Sequence, residues 1–161
     1  MSGAAKALYD RKSESGLQVA EESALHEALS AVREDPEAWF TLCYLTKSKV
    51  KVQSTGSGLE SLANLLLEKS DKVYYAMKGA FDIDGKPRML AITWAGAHAS
   101  AMKKGRISMH GGAIEAILTG AIARVNIAPA TEDAAEFLTE AALLELVTSS
   151  SSSGVALKSI P

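Results

Sequence analysis

The chain has 161 residues, with 17 Lys and Arg set against 19 Asp and Glu, for a formal net charge of -2. That length suits one domain of about 100–200 residues, and near-neutral charge argues against a general nucleic-acid binder, which would be basic overall. Cys43 is the only cysteine, so an intrachain disulfide framework is excluded and a reducing compartment fits.

Residues 1–16 are small and polar, without apolar periodicity, and read as a flexible arm. Met1 to Arg11 has no continuous apolar stretch behind Lys6, so no secretory leader is expected. Leu25, Ala28, Leu29 and Val32 recur at helical spacing and predict a helix over roughly Val19 to Arg33. Asp35-Pro36 ends it, because the residue before proline is pushed out of the helical region. Trp39 to Leu45 is apolar on both alternating faces, which predicts a central strand covered on both sides. Lys49-Val50-Lys51-Val52-Gln53 alternates cleanly; its lysines would discourage pairing with another chain, so it belongs at the sheet edge. Ser57-Gly58-Leu59-Glu60 has the spacing of a capping box and opens a short helix through Leu62, Ala63, Leu66 and Leu67.

Two strands follow, Val73 to Phe81 and Lys86 to Trp94, joined at Asp84-Gly85, a dipeptide that tight hairpins prefer. Met89 to Trp94 is apolar on both faces and therefore central. The stretch from Ala97 to Leu118 is helical in pattern but holds Gly105 and Gly111-Gly112. Each interior glycine costs about 1 kcal/mol relative to alanine, which predicts a break and a firm helix only from about Ala113. Ala121 to Ala128 reads as the last strand, closed by Pro129. Thr131 then caps a final helix whose inner face is Phe137, Leu138, Ala141 and Leu144, with Glu132 and Asp133 at the dipole-favoured end. The serine run from Ser149, followed by Gly154, is low in complexity and reads as a disordered tail. The expected organisation is an arm over 1–16, one domain over 17–148 and a tail over 149–161. Its fold class is α/β (α+β), a mixed five-stranded sheet with helices packed on both faces. No apolar run approaches the ~20 residues that span a bilayer, and the expected protein is soluble and cytoplasmic.

Candidate chemistry fails residue by residue. Cys43 sits inside a predicted central strand, where a free cysteine behaves as a small hydrophobe and not as a thiolate nucleophile for His98 or His110. His110-Gly111-Gly112 resembles an esterase oxyanion loop, but the matching nucleophile elbow is missing; Thr55-Gly56-Ser57-Gly58 lacks its first glycine. Gly79 to Lys86 has the wrong spacing for a phosphate loop, ends on Pro87 and falls in a hairpin. His26, His98 and His110 lack any paired metal-ligand spacing. No catalysis, no metal and no cofactor are expected.

Charge distribution carries more information than the total. Between Asp84 and Glu115 there is no carboxylate, yet Lys86, Arg88, Lys103, Lys104 and Arg106 all fall there. Thr131 to Glu145 is the reverse, with Glu132, Asp133, Glu136, Glu140 and Glu145 and no cation. Each cation alone is best read as a solubilising side chain; the cluster points to an acidic partner.

The element order and the residues Ala91-Ile92-Thr93-Trp94-Ala95-Gly96 resemble the actin-depolymerising-factor homology family, and within it the coactosin-like branch. The shared pattern is a basic residue (Arg88), a strand ending Ile92-Thr93-Trp94 with Gly96, two spaced cations (Lys104 and Arg106), and an amphipathic stretch from Ile114 to Leu118. The resemblance runs ungapped from Arg88 to Gly120 and more loosely over the whole body. It implies a non-catalytic protein of the cytoskeleton that binds filamentous actin, with Arg88 at the position associated with filament contact; a monomer in the cytoplasm is expected. Cofilin-type relatives carry an unbroken long helix after this strand, opening with a proline and a Lys-Met pair, which inserts into actin. Neither feature is expected here, so severing and tight monomer binding are not implied. The competing expectation is an adaptor of the same fold that binds a non-actin protein. Anionic-lipid adhesion through the same cations is the weaker third, since no apolar insertion face accompanies them.

Overall fold

Strands that are apolar on both faces must be covered on both faces, and the helices supply that cover. The computed structural model describes residues 17–82, 87–129, 135–150 and 157–159. In chain order the elements are β1 (Gln18–Val19), α1 (Glu22–Glu34), β2 (Ala38–Thr46), β3 (Lys49–Ser57), α2 (Leu59–Glu68) and β4 (Val73–Asp82). They continue with β5 (Pro87–Ala95), α3 (Ala101–Ile117), β6 (Ala121–Ile127), a 3-10 turn (Ala135–Leu138), α4 (Glu140–Ser150) and β7 (Leu157–Ser159).

The five long strands lie in the order β3-β2-β4-β5-β6. All neighbours are antiparallel except β5 and β6, which are parallel and joined through α3. This is the mixed five-stranded sheet expected, extended by two short pieces: β1 pairs with Lys49 and Val50 of β3, and β7 pairs with the end of β4. Beyond Val50, β3 has no outer strand among the described residues, so the lysine-bearing strand is an edge.

Alternation along each strand sends successive side chains to opposite faces. Phe40, Leu42, Tyr75, Met77, Met89 and Ala91 pack on one face against α1 and α3. Trp39, Tyr74, Ala76, Leu90, Ile92 and Trp94 pack on the other, against α2, the 3-10 turn and α4. The predicted α1 stripe of Leu25, Ala28 and Val32 is buried, and Asp35 leaves the helix in extended geometry before Pro36.

Three local expectations are corrected. The glycine-rich stretch is one unbroken helix, α3, from Ala101 to Ile117. A side chain at Gly105, Gly111 or Gly112 would meet nothing within 4 Å, so these glycines meet no packing demand and break no contact. The opposite face buries His110, Ala113, Ile114 and Ile117. Burial of two isoleucines, at about 1.5–3 kcal/mol each, outweighs a penalty of about 1 kcal/mol per glycine.

The expected capping box at α2 is absent too. Ser57 is still strand, Gly58 is the cap residue, and no side-chain cap forms. Ser61 instead donates its hydroxyl to the carbonyls of Ser57 and Gly58, at 2.6 and 2.9 Å. In the last helix the described cap is Thr139, whose Oγ1 accepts from the Ala142 N–H at 3.1 Å. The helix starts after a 3-10 turn, so its phase differs from the expected one: Leu143 is fully buried and Ala141 is exposed. Thr131 with its acidic neighbours, the Asp84-Gly85 turn, the arm over 1–16 and residues 151–156 of the tail lie outside the described residues. Ser149 and Ser150 are the last residues of α4.

Candidate functional site

The Ile-Thr-Trp-x-Gly stretch turns out to be scaffold. Ile92 and Trp94 are buried in the α2/α4 core, and Thr93 is buried on the other face. Gly96 donates its N–H to the Lys72 carbonyl at 2.9 Å, and His98 donates to the Ser70 carbonyl at 2.8 Å. A side chain at Gly96 would fall on the Ser70 carbonyl, so only glycine admits this approach. The turn between α2 and β4 is thereby clamped to the end of β5, which fixes where α3 begins.

Ser100 caps α3, its Oγ accepting from the Lys103 N–H at 3.2 Å. Lys103 Nζ donates to the Asp71 carbonyl at 2.9 Å and lies 3.8 Å from the Asp71 carboxylate. The run that is carboxylate-free in sequence is therefore not so in space. Lys104 is exposed. The Arg106 guanidinium sits 5.8 Å from the centre of the Tyr44 ring, with Nη2 3.6 Å from Met102 Sδ. Met102 and Met109 are 72% and 64% exposed, so the outside of α3 carries large apolar side chains beside its cations.

Arg88 is elsewhere. It is half-buried near the start of β5, in register with Ala80. Strand alternation places it on the face of Leu90, Ile92 and Trp94, whereas α3 packs on the opposite face. The path from Arg88 to Ala95 along the strand is roughly 23 Å. Of the five cations singled out, Lys103, Lys104 and Arg106 come together on the first turns of α3, Arg88 stands near the far end of the sheet, and Lys86 lies outside the described residues.

Beneath α3, the Tyr44 hydroxyl bridges the Tyr75 hydroxyl at 2.7 Å and His110 Nδ1 at 2.8 Å. Burial, and then the nearby Arg106 charge, hold His110 below the ordinary histidine range. Burial also pushes the Tyr75 hydroxyl up, helped by Tyr44. Both Nη groups of Arg124 reach the Gly111 carbonyl at 3.4 Å, tying the glycine pair of α3 to β6. This is an anchoring network for the helix. The Cys43 thiol is pushed up by burial against the opposing pull of Lys51 and Lys72, and no hydrogen bond joins it to a histidine among the described residues. Among those residues, too, no group of three or more His, Cys, Asp or Glu could hold a metal, and no helix is long and apolar enough to cross a membrane.

Two features escaped the sequence reading. Lys47, Lys69, Lys72, Lys103 and Arg106 line one groove of about 410 Å³ at the end of the sheet, although three of them lie outside the cationic run. Lys78 is fully buried, its Nζ donating to the carbonyls of Pro36 and Gly79 at 3.1 Å each. Only the register of the folded strands brings either feature about.

The profile of the family described as cofilin/tropomyosin-type actin-binding protein matches residues 17–145. The chain belongs to this family. Human coactosin-like protein shares the fold with a TM-score of 0.69 at 14% identity, over 83% of this chain and 99% of that one. Mouse coactosin, described as an actin filament binding protein, superposes with a TM-score of 0.65 at 13% identity, over 84% and 93%. Cofilin from Streptomyces griseoflavus gives 0.60 at 14% identity, over 81% and 98%. No curated protein sequence matches the chain. Family and fold are those of actin-binding regulators, not of enzymes.

Proposed function

We propose that this member of the cofilin/tropomyosin-type family is a monomeric, cytoplasmic actin-filament binder of the cytoskeleton that does not sever. The observation that carries the reading is the family match over the folded body, with Arg88 held at the mouth of a central strand. Arg88 would contact the filament from the start of β5, and Lys86 is a further candidate contact. Lys103, Lys104 and Arg106 would contact it at the start of α3. Arg88 on one face of the sheet and the α3 cations on the other suit a partner that offers more than one subunit. The unbroken α3 removes one reason to expect no severing; the other stands, since the helix opens Ser100-Ala101-Met102-Lys103, without a proline or a Lys-Met pair.

Co-sedimentation over a salt series, with filament lengths followed by microscopy, tests both parts. Exposed charges are screened over about 8 Å at physiological ionic strength, so pelleting should fall as salt rises while filament length stays constant. Binding that ignores salt contradicts the electrostatic contact, and rapid shortening contradicts the absence of severing. Failure to pellet at any salt would leave the adaptor reading in its place.

A further inference from the structure

The basic groove offers more than charge. β2 pairs with β4 only from Trp39 to Cys43. Tyr44, Leu45 and Thr46 continue the strand with no partner on that side among the described residues, and they form one wall of the groove. Extended backbone left unpaired is a template for another extended chain. Leu45 is 54% exposed on this same wall. Around it stand Lys47 from the β2–β3 turn, Lys69 and Lys72 from the α2–β4 connection, and Lys103 and Arg106 from α3, with no carboxylate among the lining residues. Asp71, outside the wall, contacts Lys103 alone among these cations. Lys47, Lys69 and Lys72 make no ion pair among the described residues. Five like charges around one concavity repel each other and concentrate a positive field within it. At about 410 Å³ the groove falls in the range of ligand sites, about 300–1,000 Å³.

We propose that this groove docks an acidic peptide segment of a partner protein in extended conformation. Its backbone adds to Tyr44–Thr46, one apolar side chain rests on Leu45, and flanking carboxylates meet the lysines. A cluster of phosphates would satisfy the cations but could use neither the open strand backbone nor the exposed leucine. The groove shares Lys103 and Arg106 with the proposed filament contact, whereas Lys47, Lys69 and Lys72 belong to the groove alone.

The test is fluorescence anisotropy with a labelled peptide of sequence Glu-Glu-Leu-Glu-Asp on the full chain at low salt. Sodium tripolyphosphate serves as competitor, and phosphatidylserine vesicles are assayed in parallel. The expected result is saturable peptide binding that weakens at least about tenfold when Lys47, Lys69 and Lys72 are all changed to Glu. It should weaken again when the peptide leucine becomes alanine. If the triple variant melts early, Lys47→Glu alone makes the same comparison. The proposal is overturned if no peptide binds. It is also overturned if the leucine is immaterial and tripolyphosphate displaces the peptide, which marks a plain anion site. Vesicles that bind through these lysines when the peptide does not would mark a membrane site and overturn it equally.

Discussion

Gly79 and Gly96 sit toward opposite ends of the β4–β5 pair, and each lets a turn from another part of the chain press onto the sheet. At Gly96 the neighbour is the Ser70 carbonyl in the α2–β4 turn; at Gly79 it is Asp35 and Pro36 in the α1–β2 turn. The first seat buries no charge: Trp94 flanks it in the apolar core, and His98 meets the Ser70 hydroxyl at 3.0 Å at the surface. The second holds a buried cation, because Lys78 donates to Pro36 and Gly79 across the same contact. Burial drops the Lys78 amine to about 8, against the opposing pull of Glu37, Glu140 and Asp35. Two equivalent packing solutions thus differ in how they respond to pH, and that difference separates scaffold from electrostatics.

The sharpest break of the first seat is Trp94→Ala, which should cost about 3–5 kcal/mol of stability, read as an early melt. Near-wild-type melting would mean that Trp94 is not holding α2 and α4 to the sheet. Adding a methyl group at either seat, as Gly96→Ala or Gly79→Ala, should cost about 1–3 kcal/mol, since backbone must move at both. If only one destabilises, the seats are not equivalent.

The charged seat should respond to pH alone. The folded-state value of Lys78 lies below the ordinary 10.5, so burying the ammonium lowers stability fully below pH 8. That penalty lifts as pH rises through 8, because the unfolded chain then binds the extra proton. Between pH 8 and about pH 9.5 the gain should be about 2 kcal/mol at most. The window closes there because the Tyr44, Tyr74 and Tyr75 hydroxyls are raised in the folded state. They withdraw stability as pH passes 10, where the unfolded chain ionises first. In denaturant titrations the parent should gain stability relative to Lys78→Met across that window, and parallel curves would contradict the buried-ammonium reading. The smallest effect is a gain: Gly105→Ala or Gly112→Ala in α3 should each raise stability by about 0.5–1 kcal/mol. A loss at either site would mean that the helix is not continuous there.

Much of the fold could be read along the chain because both-face apolar runs such as Trp39–Leu45 and Met89–Trp94 admit few arrangements. α3 was misjudged because propensity is local, while the burial of His110, Ile114 and Ile117 that sustains the helix is tertiary. The Gly96 seat lay within the recognisable Ile-Thr-Trp-x-Gly stretch, whereas Gly79 resembled only a failed phosphate loop, because its partner Pro36 is distant in sequence. The candidate site was half legible. Lys103, Lys104 and Arg106 are neighbours in sequence and remain so on one helix. Strand alternation sends Arg88 to the other face, and Lys47, Lys69 and Lys72 meet α3 only after the sheet forms.

Filament contact through Arg88 is tested most directly by comparing Arg88→Glu with Lys49→Glu on the edge strand β3, measuring melting and co-sedimentation for both. Reversing a desolvated arginine contact should weaken filament binding by about 2–5 kcal/mol. Loss of an intramolecular surface pair would shift stability by about 1 kcal/mol at most. The expected result is an Arg88→Glu protein that melts close to the parent but stays in the supernatant, while Lys49→Glu pellets with filaments. If Arg88→Glu pellets like the parent, Arg88 is not the contact, and the filament assignment loses its residue-level support.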